Sequence, residues 1–175
     1  MSFDKIKSIH LASDHAGFEY KEAIRTWLED SIYSVVDYGP KESNPDDDFP
    51  DFISQAAKAV SDSPYDSVGI IFGGSGQGEA MLANRFPNIR AVVYYGWDRE
   101  IIALAREHND ANILSFGAIF VTLEEVKAGI LTWLSTPALL DEKYQRRNQK
   151  IEAITKQIYK TWYRLFQQWY QNHSI

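Results

Sequence analysis

An unbroken apolar run, Val68 to Phe72, leads directly into Gly73-Gly74-Ser75-Gly76-Gln77-Gly78-Glu79. No other feature restricts the fold as strongly. A strand without polar alternation must be covered on both faces, as in a parallel sheet held between layers of helices. Four glycines in the next seven positions let the backbone turn tightly, and a helix is expected over Glu79 to Asn84. The same rhythm recurs along the chain. Ile6 to Ala12, Tyr33 to Tyr38, Arg90 to Tyr95 and Asn112 to Phe116 read as strands. Phe18 to Leu28, Pro50 to Val60, Asp98 to Glu107 and Leu123 to Trp133 carry helical spacing. Lys41 to Asp48 is polar and acidic and reads as a loop. Strands spaced by helices predict an α/β fold, a doubly wound, Rossmann-like parallel five-stranded sheet flanked by helices.

The C-terminal stretch differs. From Asp141 to Ile175 the pattern predicts one long helix or a helix pair. Ile151, Ile154, Ile158, Trp162, Leu165 and Trp169 recur at steps of three and four, and Tyr159, Tyr163, Phe166 and Tyr170 widen the stripe. The expected organisation is a sheet domain over 1–150 and an aromatic-rich helical extension over 151–175. The extension is expected to pack on the domain or on a partner subunit. A membrane-surface helix would need a more clearly basic opposite face.

Composition narrows the function. At 175 residues, 45% apolar and 24% charged, the chain suits one globular domain with a sizeable core. A net charge of −6 argues against a broad nucleic-acid surface, which needs clustered Lys and Arg. No cysteine is present, so disulfides, thiolate zinc sites and cysteine nucleophiles are excluded. Apolar runs fall well short of the ~20 residues of a membrane helix. Neither a membrane nor a nucleic-acid partner is expected, and no signal-peptide pattern opens the chain. A cytoplasmic location follows as the expectation.

In a doubly wound sheet, ligands bind beyond the carboxyl ends of the strands. That directs attention to Ser13-Asp14-His15, Gly73 to Glu79, and the segment near His108. The glycine loop lacks the Gly-Lys-Ser/Thr ending of a Walker loop, and Glu79 occupies the third glycine position of a dinucleotide fingerprint, where it would repel a pyrophosphate. The loop suits a different anion. Backbone amides and the Ser75 hydroxyl would stabilise an enediolate as an oxyanion hole does, and a carboxylate beside it would carry a proton between adjacent carbons. Each residue also has a structural reading. Glu79 fits the first turn of any helix, Asp14 fits a helix cap, His108 fits a helix C-terminus, and Arg146, Arg147 and Lys150 fit a solvated basic face.

Read together, the motifs resemble one family. Ala12-Ser13-Asp14-His15-Ala16-Gly17-Phe18, the glycine loop with Ala83-Asn84-Arg85, and Ala105 to Asn112 with Ser115-Phe116-Gly117 are similar to signatures of the ribose-5-phosphate isomerase B family. Arg146 to Ile154 resembles that family's C-terminal phosphate segment. The family includes isomerases of allose and galactose phosphates. Its members carry the proton-transfer base as a cysteine opening the glycine loop or a glutamate closing it. With Gly73 at the first position and Glu79 at the last, the chain resembles the glutamate branch.

The resemblance implies Glu79 as base, Ser75 with Gly74, Gly76 and Gly78 around the enediolate, and Asp14 and His108 in sugar-ring opening. It places His15, Arg146 and Lys150 toward the phosphate, Asn109 toward sugar hydroxyls and Phe49 near the sugar. It also implies a site shared across a homodimer, or a dimer of dimers. With no cysteine or histidine metal cluster beside a complete acid–base set, no metal and no cofactor are expected. Three positions depart from the pattern: Ala118-Ile119 where an arginine is common, Lys150 for arginine, and Phe49 for tyrosine. They leave sugar ring size and phosphate position open. The leading expectation is conversion of ribose 5-phosphate to ribulose 5-phosphate. Isomerisation of a hexose 6-phosphate and non-catalytic sugar-phosphate binding are the alternatives.

Overall fold

The computed structural model describes residues 6–173; Met1 to Lys5, Ser174 and Ile175 lie outside the described residues, so the first five residues of the expected 1–150 domain and the last two of the expected C-terminal stretch fall there. The chain divides into two compact units, Met1–Leu139 and Leu140–Ile175. The expected boundary at residue 150 therefore falls inside the second unit, within a helix that runs on unbroken.

In the first unit five strands form one parallel sheet: β1 Ser8–Ser13, β2 Ser34–Asp37, β3 Ser67–Gly73, β4 Ala91–Tyr94 and β5 Ile113–Gly117. Their order is β2-β1-β3-β5-β4, and every neighbouring pair is parallel. Five helices connect and cover them: α1 Phe18–Leu28, α2 Phe49–Asp62, α3 Gln77–Ala83, α4 Arg99–Asn109 and α5 Leu123–Ser135. β3 is buried at every position, as its apolar run requires.

Alternation along the central strands serves two cores. Ile9, Leu11, Val68, Ile70, Phe72, Leu114 and Phe116 pack with Ile24 and Leu28 of α1, Ile102 of α4 and Val126, Ile130 and Trp133 of α5. Ala12, Ile71 and Ile113 face the other way, against Ile53, Ala56, Ala57 and Val60 of α2 and Ala83 of α3. The small residues on α2 let that helix lie close to the sheet. On the first face an aromatic row crosses the strands, with Phe72 stacked on Phe116 at 5.3 Å and Tyr94 edge-on to Phe116 at 6.0 Å. Such pairs add to the stabilisation from burial alone, and they stiffen the strand ends that carry the glycine loop.

Several boundaries move for local reasons. α3 starts at Gln77, because Gly76 adopts the left-handed region at φ +72° and the helix follows at once. Glu79 is thus inside the first turn rather than at the start. Asp98 caps α4, its side chain accepting from Glu100 N at 2.9 Å. The helix continues through His108 and Asn109 until Asp110 turns left-handed at φ +47°.

The second unit is a single helix, α6 Glu142–His173, rather than a helix pair. No described helix is long and apolar enough to cross a membrane.

Candidate active site

The carboxyl ends of β1 and β3 bring two motifs together. β1 ends at Ser13, and Asp14 caps the short turn His15–Gly17, accepting from Gly17 N at 3.1 Å. This is the capping role that its sequence allowed, but its charge also acts on Glu79. Asp14 is 9% exposed and Glu79 4%. Burial pushes the Glu79 carboxyl above its ordinary value, the negative charge of Asp14 pushes it further, and its own backbone N–H partly offsets both. A desolvated carboxylate with a raised proton affinity is a stronger base than one in water.

The glycine loop is shaped around that group. A Cβ placed on Gly73 would overlap the Glu79 carboxylate. A side chain at position 73 and a carboxylate from position 79 therefore compete for one space. A Cβ on Gly76 would meet the Phe116 carbonyl at 2.8–2.9 Å, and the Gly76 carbonyl accepts from the buried Ser115 hydroxyl at 2.7 Å. Ala118 and Ile119 donate to the carbonyls of Gly73 and Gly74 at 2.9 and 3.2 Å, so the loop is tied to the end of β5. Ser75 is exposed, and its hydroxyl accepts from Gln77 N at 3.3 Å. Gly74, Ser75 and Gly76 follow the carboxyl end of β3, at the same end of the parallel sheet as Asp14 beyond β1.

The remaining expected residues divide into three groups. His15 joins the site beside Asp14. Its backbone N–H donates to Asp47 Oδ1 at 3.1 Å, and its Nδ1 lies 2.6 Å from the same oxygen. That hydrogen bond raises the His15 pKa, helped by the charges of Asp14, Asp47 and Asp46 and opposed by burial. Phe49 opens α2, with its ring against Gly78, where an added Cβ would lie 3.1 Å from Cζ; it also packs on the second core.

His108 and Asn109 are elsewhere, which corrects the expectation that they lie just beyond a strand's carboxyl end. They form the last turn of α4, which runs back from the end of β4 toward the start of β5. Just after them, Asp110 O accepts from Arg90 Nε at 3.0 Å, and Arg90 immediately precedes β4. This chain alone therefore holds His108 and Asn109 toward the amino end of the sheet, about 16 Å along α4 from its start beyond β4, whereas Glu79 follows the carboxyl end of β3. Arg146 and Lys150 belong to α6, where Arg146 pairs with Glu142 at 3.4 Å.

Asp47 is the group that sequence reading missed. Its side chain is 7% exposed, and its Oδ2 has no hydrogen-bond partner among the described residues. In sequence it is the middle of three consecutive aspartates in an acidic loop, and nothing local marks it apart. Among the described residues no cluster of three or more His, Asp or Glu side chains is arranged to hold a metal ion.

Comparison with known proteins agrees with this geometry. The family described as Ribose/Galactose Isomerase matches residues 9–151. A ribose-5-phosphate isomerase B of Mycolicibacterium paratuberculosis is 40% identical over 140 residues, 79% of this chain and 86% of that protein. One from Escherichia coli is 37% identical over 152 residues, covering 86% and 95%. Among solved structures, ribose-5-phosphate isomerase B of Mycoplasma genitalium with bound ribulose-5-phosphate superposes with a TM-score of 0.80 at 33% identity, over 85% of this chain and 96% of that one. The Clostridium thermocellum enzyme gives 0.78 at 35% identity, over 86% and 99%. The buried glutamate above a glycine loop, the doubly wound sheet and these matches make one result: the chain belongs to the ribose/galactose isomerase family, among proteins named ribose-5-phosphate isomerase B.

Proposed function

We propose that the chain interconverts ribose 5-phosphate and ribulose 5-phosphate through an enediolate, with Glu79 as the base. The observation that carries this is the buried Glu79 carboxylate, held against Gly73 with its proton affinity raised by burial and by Asp14. In the open-chain aldose, the carboxylate takes the C2 proton. The C1 carbonyl oxygen becomes the enediolate oxyanion, facing the Gly74 and Gly76 amides and the Ser75 hydroxyl. The carboxyl then returns a proton to C1, and the O2 proton passes to O1, leaving a ketone at C2. The step needs no redox partner. An oxyanion-hole donor is typically worth ~10²–10³-fold, and the base a further ~10²–10⁴-fold.

In this reading Asp14 and His108 assist ring opening. His15, Arg146 and Lys150 hold the phosphate, Asn109 meets sugar hydroxyls, and Phe49 packs beside the sugar. His108 and Asn109 come from a second copy, because one chain holds them at the other end of the sheet. The surface beside His108 supports such a contact. It is an apolar groove of about 340 Å³ lined by Val92, Val93, Ile101, Leu104 and Ala105, with Ile101 62% exposed. The enzyme so described is a cytoplasmic homodimer that needs no metal.

The test is an isomerase assay on aldose phosphates, hexose 6-phosphates included, in buffer containing a chelator. Ribose 5-phosphate should turn over best, with solvent deuterium entering at C2. Faster turnover of a hexose phosphate would reassign the substrate. Activity lost to the chelator and restored by a divalent ion would overturn the metal-free mechanism.

A further inference from the structure

The sugar-phosphate site makes no use of the distal half of α6. The helix is 32 residues long, about 48 Å at 1.5 Å per residue. Its stripe is a repeat. Ile151, Ile154 and Ile158 are followed eleven residues later by Trp162, Leu165 and Trp169. An eleven-residue period, ~3.67 residues per turn, keeps a stripe on one face of a nearly straight helix, which suits lateral pairing with another helix. Lys156, Lys160 and Arg164 project from the opposite side with Gln157, Gln167 and Gln171.

The stripe is exposed: Ile154 58%, Trp162 63%, Leu165 55% and Trp169 57%. Tyr159, Tyr163, Phe166 and Tyr170 extend it at 43–60%. An aromatic side chain buries ~150–250 Å², so six of them about half exposed present roughly 600 Å² before any aliphatic area is added. That already reaches the largest patch of a typical monomer, ~300–600 Å². With the four aliphatic residues it approaches the ~800 Å² per partner of a standard interface. The aromatic rings are also stacked along the helix, Trp162 on Phe166 at 5.5 Å and Phe166 on Trp169 at 6.4 Å. They present a pre-formed surface.

We infer that this stripe pairs with the same stripe on α6 of a second copy, antiparallel. The order of residues selects the orientation. The first half of the repeat is isoleucine and the second half is mainly aromatic. Antiparallel pairing about position 160 sets Ile151 opposite Trp169, Ile154 opposite Phe166 and Ile158 opposite Trp162, so large meets small along the whole seam. Parallel pairing would set Trp162 on Trp162 and Trp169 on Trp169. Antiparallel helices also oppose their dipoles favourably, and both cationic faces stay outward. A lipid surface gives no reason for an isoleucine half and an aromatic half in register.

The absence of cysteine makes the test clean. Chains carrying Ile151→Cys and chains carrying Trp169→Cys are co-expressed with different tags and oxidised. A disulfide between the two variants is expected, with neither variant cross-linking to itself. In sedimentation, Trp162→Gln/Leu165→Gln/Trp169→Gln should run as a smaller assembly than wild type, with glutamine preserving helix propensity. Neither readout depends on catalysis. Self-cross-linking of Ile151→Cys overturns the antiparallel pair. So does an unchanged assembly in the triple variant. Stripe-dependent binding to phosphatidylcholine–phosphatidylserine vesicles without any inter-chain cross-link assigns the stripe to lipid and overturns the proposal.

Discussion

Glu79 and His108 stand at opposite ends of one sheet, and the fold holds them differently. Glu79 is 4% exposed, enclosed by a glycine loop that leaves room for its carboxylate and no more. His108 is half-buried on the rim of an apolar groove between β4 and α4. The first group is finished by its own chain. The second lines an apolar groove, a surface of the kind that the proposed partner contact requires. The difference teaches what the proposed shared site asks of one chain: it carries the base at one end of the sheet and an apolar contact surface at the other.

The largest effect should come from breaking the finished half. Glu79→Gln keeps volume and removes the base, so kcat should fall by ~10²–10⁴-fold while substrate still binds. Stability should move the other way. The folded-state proton affinity of Glu79 is raised above the ordinary value of 4.5. A raised carboxyl stabilises the fold fully below its unfolded pKa, and that contribution is lost as pH rises through the folded one. Ionised Glu79 therefore costs stability near neutrality, and Glu79→Gln should melt higher than wild type at pH 7, with the gap closing toward pH 4. A variant that is inactive and also less stable at pH 7 would mean that Glu79 serves packing rather than proton transfer.

The next effect joins the halves. Glu79→Gln and His108→Ala should each be nearly inactive alone. Co-expressed, they form mixed dimers in which one site draws Glu79 and His108 from different, intact chains. Random pairing gives roughly a quarter of wild-type turnover, because half of the dimers hold one good site of two. Turnover that stays at the level of the separate variants would show that both groups act within one chain, and the comparison would collapse.

How much of this was legible in sequence follows from range. β3 and the glycine loop were legible because burial on both faces and tight turning are local properties, written into Val68 to Gly78. The position of His108 was not. The rule that ligands bind beyond strand ends located Asp14 and Glu79, but His108 lies a helix length past β4, and the order β2-β1-β3-β5-β4 is invisible in composition. The requirement at Gly73 also escaped, since it arises from a carboxylate six residues on. Asp47 needed a contact across thirty-two residues to distinguish it from Asp46 and Asp48. The length of α6 was expected, but the choice between one helix and a pair stayed open, because polar residues at 141–150 weaken the apolar stripe there.

The smallest effect sharpens the finished half by testing Asp47. The hydrogen bond that His15 donates to Asp47 is the main reason that His15 holds its second proton above the ordinary 6.5. The imidazolium attracts a phosphate dianion and the neutral ring does not. KM for the sugar phosphate should therefore rise as pH climbs through the raised pKa. Asp47→Asn keeps the side chain's size and removes its charge, so that rise should begin at lower pH. Between the two transitions KM should exceed wild type by roughly two- to fivefold, the scale of an exposed ion pair. Well below the ordinary 6.5 the imidazole is protonated in both proteins and the KM values should converge. kcat should stay constant, because the proposed mechanism gives His15 the phosphate and not the reacting carbons. An NMR titration reads the cause directly, since the His15 ring protons should titrate at lower pH in Asp47→Asn. If His15 titrates identically in both proteins, Asp47 only fixes the loop, and the charge at this end of the sheet is set by Asp14 and Asp46.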